Sequence, residues 1–273
     1  MILLDGPLGT ELLARGVPTP IPLWSAWALD NAPEAVRRIH ADYAAAGATV
    51  HTANTFRTKR RQLGADWEDL ARRAVQICRE AVPPHHRVAG SIAPLEDCYR
   101  PDLSPRDPRP EHRELARLLA EAGCDLLLCE TFPHVGEGLI AVEEAVATGV
   151  ETWAGFTAGP EAELLSPAEI AEAARQAVDA GASAVFVNCV PASATLEYVE
   201  ALVAAVSPEV PVGAYANAGH VDEQMGWEPS PQGPGLYLRH ARTWVEAGAT
   251  IVGCCCGTGP AHIGALRDLL DAT

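Results

Sequence analysis

The chain has 273 residues, a formal charge of −16 and eight cysteines, and 48% of its residues are hydrophobic. The acidic balance excludes a nucleic-acid surface, which needs clustered basic residues to meet phosphates. No apolar run approaches the ~20 residues of a membrane span. The opening Met1-Ile2-Leu3-Leu4-Asp5 lacks the basic segment of a secretion signal, so the thiols are expected in a reducing, cytoplasmic setting where they bind metals or do chemistry.

The first strand is expected over residues 2–5, ending at Asp5, and Gly6-Pro7-Leu8-Gly9-Thr10 reads as a turn whose backbone N–H groups can hold a carboxylate. Four later segments share one signature: Ala-Gly pairs at 46–47, 122–123, 180–181 and 247–248, each closing an amphipathic helix and leading into an apolar run. Glycine just past a helix supplies the left-handed conformation of a C-terminal cap. These glycines introduce strands 2, 4, 6 and 8. Their spacing is about twice the ~30 residues of a βα unit, so strands 3, 5 and 7 belong between them, at 87–90, 152–156 and 210–214.

Residues 101–110, rich in proline, read as a loop over the third βα junction. Ser166-Pro167-Ala168-Glu169 and Thr258-Gly259-Pro260 mark helix starts. Eight alternating units with near-continuous apolar strands predict a single (β/α)8 TIM barrel over residues 1–273, with no second domain. An open doubly wound sheet is the competing fold, but no Gly-x-Gly-x-x-Gly follows the first strand.

Counting seven residues from each repeat glycine reaches Asn54, Glu130, Asn188 and Cys255, with Cys189 one further. These positions share the C-terminal rim of the barrel, where active sites of this fold lie. Cys189 with two of Cys254, Cys255 and Cys256 makes a three-thiolate site for Zn²⁺ with one open position, the pattern of catalytic zinc. Adjacent strand residues face opposite ways, so neighbouring cysteines share a metal only if the strand kinks, which Gly257 permits. Cys78, Cys98, Cys124 and Cys129 read as small core residues. His51, His134, His220 and His262 are alternative ligands. Glu130 and Asp5, closing apolar strands, suit a substrate ammonium or a proton transfer.

The chain resembles the homocysteine S-methyltransferase family, the zinc-thiolate barrels that include betaine–homocysteine and S-methylmethionine–homocysteine methyltransferases and the homocysteine domain of cobalamin-dependent methionine synthase. The resemblance rests on Leu4-Asp5-Gly6-Pro7-Leu8-Gly9-Thr10-Glu11-Leu12, Asn54-Thr55-Phe56, Glu130-Thr131-Phe132, Val187-Asn188-Cys189, Tyr215-Ala216-Asn217-Ala218-Gly219 and Gly253-Cys254-Cys255-Cys256-Gly257-Thr258. It implies zinc ligation by Cys189, Cys255 and Cys256, with Cys254 standing where the family has glycine as a spare thiol beside the metal. It places catalytic and substrate-binding roles on Asp5 and Glu130, and substrate contacts on Gly6, Asn54, Thr55, Asn188 and Asn217. Pro7 replaces a family glycine and removes one N–H from the turn.

The implied activity is methyl transfer from a small activated donor to homocysteine thiolate, giving methionine, with S-methylmethionine favoured and S-adenosylmethionine next. Two alternatives stand beside it. One is the homocysteine module of a split cobalamin-dependent synthase, whose partner would be a separate corrinoid protein; the other is a zinc-binding protein without catalysis. A Schiff-base lyase or aldolase would have to use Lys59, the only lysine. Composition leaves self-association into a homo-oligomer open.

Overall fold

The computed structural model describes residues 1–218 and 232–270. Its eight strands are β1 (Ile2–Leu3), β2 (Val50–Ala53), β3 (Arg87–Ile92), β4 (Leu126–Phe132), β5 (Thr152–Phe156), β6 (Ala184–Pro191), β7 (Val212–Asn217) and β8 (Ile251–Cys254). Every pairing is parallel, in the order β1-β8-β7-β6-β5-β4-β3-β2. A bridge between Leu4 and Val50 brings the chain after β1 onto β2, and the Asp5 N–H donates to the Val50 carbonyl at 3.0 Å. The ring therefore closes, and the fold is a (β/α)8 barrel rather than the open sheet.

Helices separate successive strands: α1 (Gly9–Ala14), α2 (Trp27–Asn31) and α3 (Pro33–Ala46) before β2; α4 (Arg60–Leu63) and α5 (Trp67–Ala81) before β3; then α6 (Arg109–Glu121), α7 (Val135–Val146), α8 (Pro167–Asp179), α9 (Thr195–Ala205), α10 (Gly233–Glu246) and α11 (Pro260–Leu270) in single succession. No described helix is long and apolar enough to cross a membrane. The four repeat glycines end their helices as expected, with φ of +121° at Gly47, +84° at Gly123, +108° at Gly181 and +114° at Gly248. Ser166 and Glu169 cap α8 reciprocally, which satisfies two N–H groups left open at the helix start. Residues 93–108 form the long loop after β3, broken by a single 3-10 turn at Pro101–Leu103.

Parallel strands covered on both faces must be apolar on both, and β4 and β6 are buried at every position. Outward side chains join the helices in one large core. Inward side chains make a second, smaller one of Leu4, Val50, Ala89, Leu126, Leu128, Trp153, Ala184, Phe186, Tyr215 and Ile251, topped by Cys189 and Cys255. Trp153 packs on Phe186 at 5.3 Å between ring centroids, and Phe186 meets Tyr215 edge-on at 5.6 Å. This aromatic stack fills the barrel and forms a solid floor under its C-terminal mouth.

Candidate active site

Above that floor lies a cavity of about 390 Å³. It is lined by strand ends and by the loops that follow them, including Asp5, Gly6, Asn54, Glu130, Cys189, Cys255 and Cys256. The sulfur atoms of Cys189, Cys255 and Cys256 lie within 4.8 Å of one another, and this is the only such cluster of metal-capable groups among the described residues. Cys189 and Cys255 are joined sulfur to sulfur, with Cα atoms 5.8 Å apart across 66 residues of sequence. The pairing and metal ligation are alternatives for the same two sulfurs, since ligands of one tetrahedral zinc stand about 3.8 Å apart.

Local backbone geometry brings these sulfurs together. The β6–β7 register shifts between Asn188 and Pro191, and Cys189 within that bulge has φ +54°. The bulge turns Cys189 inward where strict alternation would alternate the faces. β8 stops at Cys254, so Cys255 and Cys256 sit in the turn beyond it, which Gly257 completes at φ +77°. A kink at the strand end thus lets two consecutive cysteines face one point. Three soft thiolates with room for a fourth ligand fit a zinc ion well. Cys254 faces the other way, in the core shared with the helices. Its side chain meets Tyr237 and Thr258, and burial raises its thiol pKa. The spare thiol therefore lies outside the sulfur cluster.

The two carboxylates enter from β1 and β4. Asp5 accepts the Thr52 N–H at 2.9 Å. Burial pushes its carboxyl well above the usual range, against the Thr52 hydrogen bonds and with the Glu130 charge adding to the rise. Glu130 is also raised by burial, opposed by hydrogen bonds from Ser91 and Tyr215; the Ser91 and Tyr215 hydroxyls donate to its two oxygens, Tyr215 at 3.2 Å. Burial disfavours the charged form of both acids, and a substrate ammonium in the cavity would stabilise that form.

Other predicted residues take different places. Gly6 lines the cavity, and a Cβ there would come within 2.7 Å of the Tyr43 ring. Asn54 lines it too, but its amide is committed to Ser25: Nδ2 donates to the Ser25 carbonyl at 2.9 Å and Oδ1 accepts the Ser25 hydroxyl at 2.6 Å. Thr55, Asn188 and Asn217 are buried and outside the lining. Thr55 donates to the Ser91 carbonyl at 2.8 Å, and Asn188 bridges to Thr131. His51 bonds His86 behind β2, His134 caps α7, and His262 accepts the Gly259 N–H. His220 and Gly219 lie outside the described residues. Cys98 departs from the core reading: it lines the cavity, beside Tyr99. Ser91 and Tyr215 were not singled out as carboxylate partners, because no glycine between α5 and β3 or between α9 and β7 starts the count that reaches the even strands.

Comparison with known proteins gives the family. The family model for homocysteine S-methyltransferase matches residues 2–270. A Bacillus subtilis protein named homocysteine S-methyltransferase YbgG is 31% identical, over 96% of this chain and 92% of its own. The Escherichia coli homocysteine S-methyltransferase is 30% identical, over 98% and 94% respectively. The metallated form of the homocysteine methyltransferase MmuM from Escherichia coli superposes with a TM-score of 0.82 at 27% identity, covering 98% of this chain and 96% of that one. With the family matched from end to end and the three sulfurs gathered at the barrel mouth, the chain belongs to the homocysteine S-methyltransferase family.

Proposed function

We propose that this protein methylates homocysteine, taking the methyl group from a small sulfonium donor, S-methylmethionine ahead of S-adenosylmethionine. The observation that carries the reading is one cavity lined by Cys189, Cys255 and Cys256 together with Asp5 and Glu130. Zinc bound by the three cysteines supplies a centre that keeps the homocysteine sulfur deprotonated near neutral pH. Asp5 and Glu130 bind the homocysteine ammonium, while N–H groups of the turn after Asp5 receive its carboxylate. Fixing both ends of the amino acid orients its sulfur, and orientation of this kind lowers the barrier by several kcal/mol.

The sulfur lone pair attacks the methyl carbon in line as the donor's carbon–sulfonium bond breaks. The products are methionine and a neutral thioether. Thiolates and carboxylates make the cavity anionic, which favours a cationic donor, and the attack neutralises charge inside a partly enclosed pocket. A sulfonium also carries an already activated methyl group, so residues 1–273 are read as one unit that needs no further domain for the chemistry.

A donor panel with zinc-loaded protein and homocysteine tests this. Steady methionine formation from S-methylmethionine alone is expected. Formation from methylcobalamin but from no sulfonium would transfer the chain to the corrinoid-dependent class.

A further inference from the structure

We infer that Arg57 is the binding residue for the carboxylate of the methyl donor, which makes the preferred donor a sulfonium amino acid; the inference rests on the methyl-transfer reading above. Arg57 lies in the loop after β2 and lines the same cavity as the cysteines. In the ring of eight strands, β2 stands four strands from β6, so Arg57 follows the strand opposite Cys189. It is also five residues beyond Thr52, whose N–H marks the level of Asp5. That places it on the outer, mouth side of the acceptor's carboxylates, where a second substrate enters.

The guanidinium has unspent hydrogen-bonding capacity. Its Nε is buried without a hydrogen-bond partner, and its only described hydrogen bond is a 3.5 Å contact from Nη1 to the Glu96 carbonyl. Its carbon lies 5.6 Å from the centroid of the Phe56 ring. Among the described residues it forms no ion pair. The contrast with Arg61 is informative: four positions on, that arginine pairs with the carboxylates of both Glu96 and Glu111. Glu96 thus gives its charge to Arg61 and only its carbonyl to Arg57.

The loop that Arg57 faces is firmly held. Lys59 donates to the Pro94 carbonyl, Gln62 to the Leu95 carbonyl at 3.0 Å, and the Leu95 N–H donates to Glu137 at 2.7 Å. Asp97, the nearest acid along that loop to line the cavity, accepts the Tyr99 N–H at 2.8 Å. An unpaired guanidinium in an otherwise acidic and apolar cavity is a site for an anion of matching shape, and a carboxylate meets it with two parallel hydrogen bonds. No other described basic residue lines the cavity, and Asp5 and Glu130 offer that carboxylate no partner at the floor. The donor is thereby turned with its carboxylate outward and its sulfonium inward.

The test compares wild type, Arg57→Gln and Arg57→Lys, all zinc-loaded, against S-methylmethionine and its carboxamide. Calorimetric binding of each donor is measured first, with or without turnover, followed by separate KM values for donor and homocysteine. Wild type should bind the acid about ten- to a hundredfold more tightly than the amide, the usual worth of a charge-assisted hydrogen bond. Arg57→Gln should erase that preference and leave the homocysteine KM within about twofold, while Arg57→Lys should retain part of the preference through its charge. A rise in homocysteine KM with no change for the donor would assign Arg57 to the acceptor and overturn the inference. Equal binding of acid and amide by wild type would overturn it as well. Absence of methionine from every sulfonium, with the acid still preferred, would strike the methyl-transfer reading and leave the carboxylate site standing.

Discussion

Asn188 and Thr131 hold each other by two hydrogen bonds: the Thr131 N–H donates to Asn188 Oδ1 at 3.0 Å, and Asn188 Nδ2 donates to Thr131 Oγ1 at 2.7 Å. Both residues sit in bulges, where the β4 register shifts between Cys129 and Phe132 and the β6 register between Asn188 and Pro191. Thr131 has φ +62° and the neighbour of Asn188, Cys189, has φ +54°, conformations that β-branched and most other L residues resist. The bridge therefore ties the strained turn beside Glu130 to the strained turn that carries Cys189.

Asn188→Ala should lower stability by about 2 kcal/mol, because it orphans the buried Thr131 N–H and leaves the Thr131 hydroxyl only its 3.9 Å contact to Cys189 Sγ. It should also weaken metal and homocysteine binding together, since both turns lose their tie. Urea unfolding alongside a metal titration reads both effects. Unchanged metal affinity in a destabilised variant would confine Asn188 to a packing role.

Cys256→Ala should lose most of the zinc, whereas Cys254→Ala should keep one zinc per chain and lose only about 1 kcal/mol of stability for the methyl-sized space left in the core. Metal analysis and thermal melts distinguish the two. Chelation should convert Cys189 and Cys255 to a disulfide under air, their Cα separation of 5.8 Å being within the range such a bond spans. Thiol titration before and after chelation would then differ by two groups. Zinc retained by Cys256→Ala but not by Cys254→Ala would reverse the ligand assignment.

Glu130→Gln should reduce homocysteine affinity by about 1.5–3 kcal/mol and leave zinc content nearly unchanged. The amide keeps the shape and one acceptor but loses the charge that faces the ammonium. Equal loss of metal and substrate in calorimetry would make Glu130 a support for the sulfur cluster instead.

Asp5→Asn gives a pH signature. Burial holds the folded-state pKa of Asp5 well above 3.8, so the neutral acid is favoured more in the folded protein than in the unfolded chain. That contribution to stability is complete below the unfolded pKa and is lost as pH rises through the raised folded value. The melting temperature of Asp5→Asn should therefore gain on wild type as pH increases across this window, while its homocysteine affinity falls at neutral pH. In wild type, homocysteine affinity should weaken on acidification at a higher pH than an ordinary carboxylate would give. A constant difference in melting temperature from pH 4 to 8 would show that Asp5 is not desolvated.

Much of this was legible in the sequence because it depends on local chemistry. Gly47, Gly123, Gly181 and Gly248 announce helix ends by conformational necessity, and the distance from each to the next strand end fixes the rim. That count reaches Glu130 and Cys255 and comes within one residue of Cys189, whereas the choice of Cys256 over Cys254 followed from the family resemblance. What it could not give was the direction of a side chain at a bulge. A shift of one residue separates Asn188, turned sideways to Thr131, from Cys189, turned into the cavity. Cys254 and Cys255 differ in the same way. Long-range partners such as Ser25 for Asn54 were equally hidden, since hydrogen bonds across 29 residues leave no periodic trace. Arg57 and Cys98 escaped because loops after strands carry no register.

The closure of the barrel by Leu3 and Val252 on one side and by Leu4 and Val50 on the other has a consequence for biosynthesis. Asp5 is synthesised about 250 residues before Cys255 and Cys256. At translation rates of about 5–20 residues per second, that is an interval on the order of ten seconds or more. Until those two cysteines emerge, Cys189, made 66 residues before Cys255, has at most a partial set of sulfur neighbours, and Asp5 cannot yet share a pocket with all three. Assembly of the three-sulfur cluster therefore waits for β8 to pair with β1, and a product stalled before β8 lacks it.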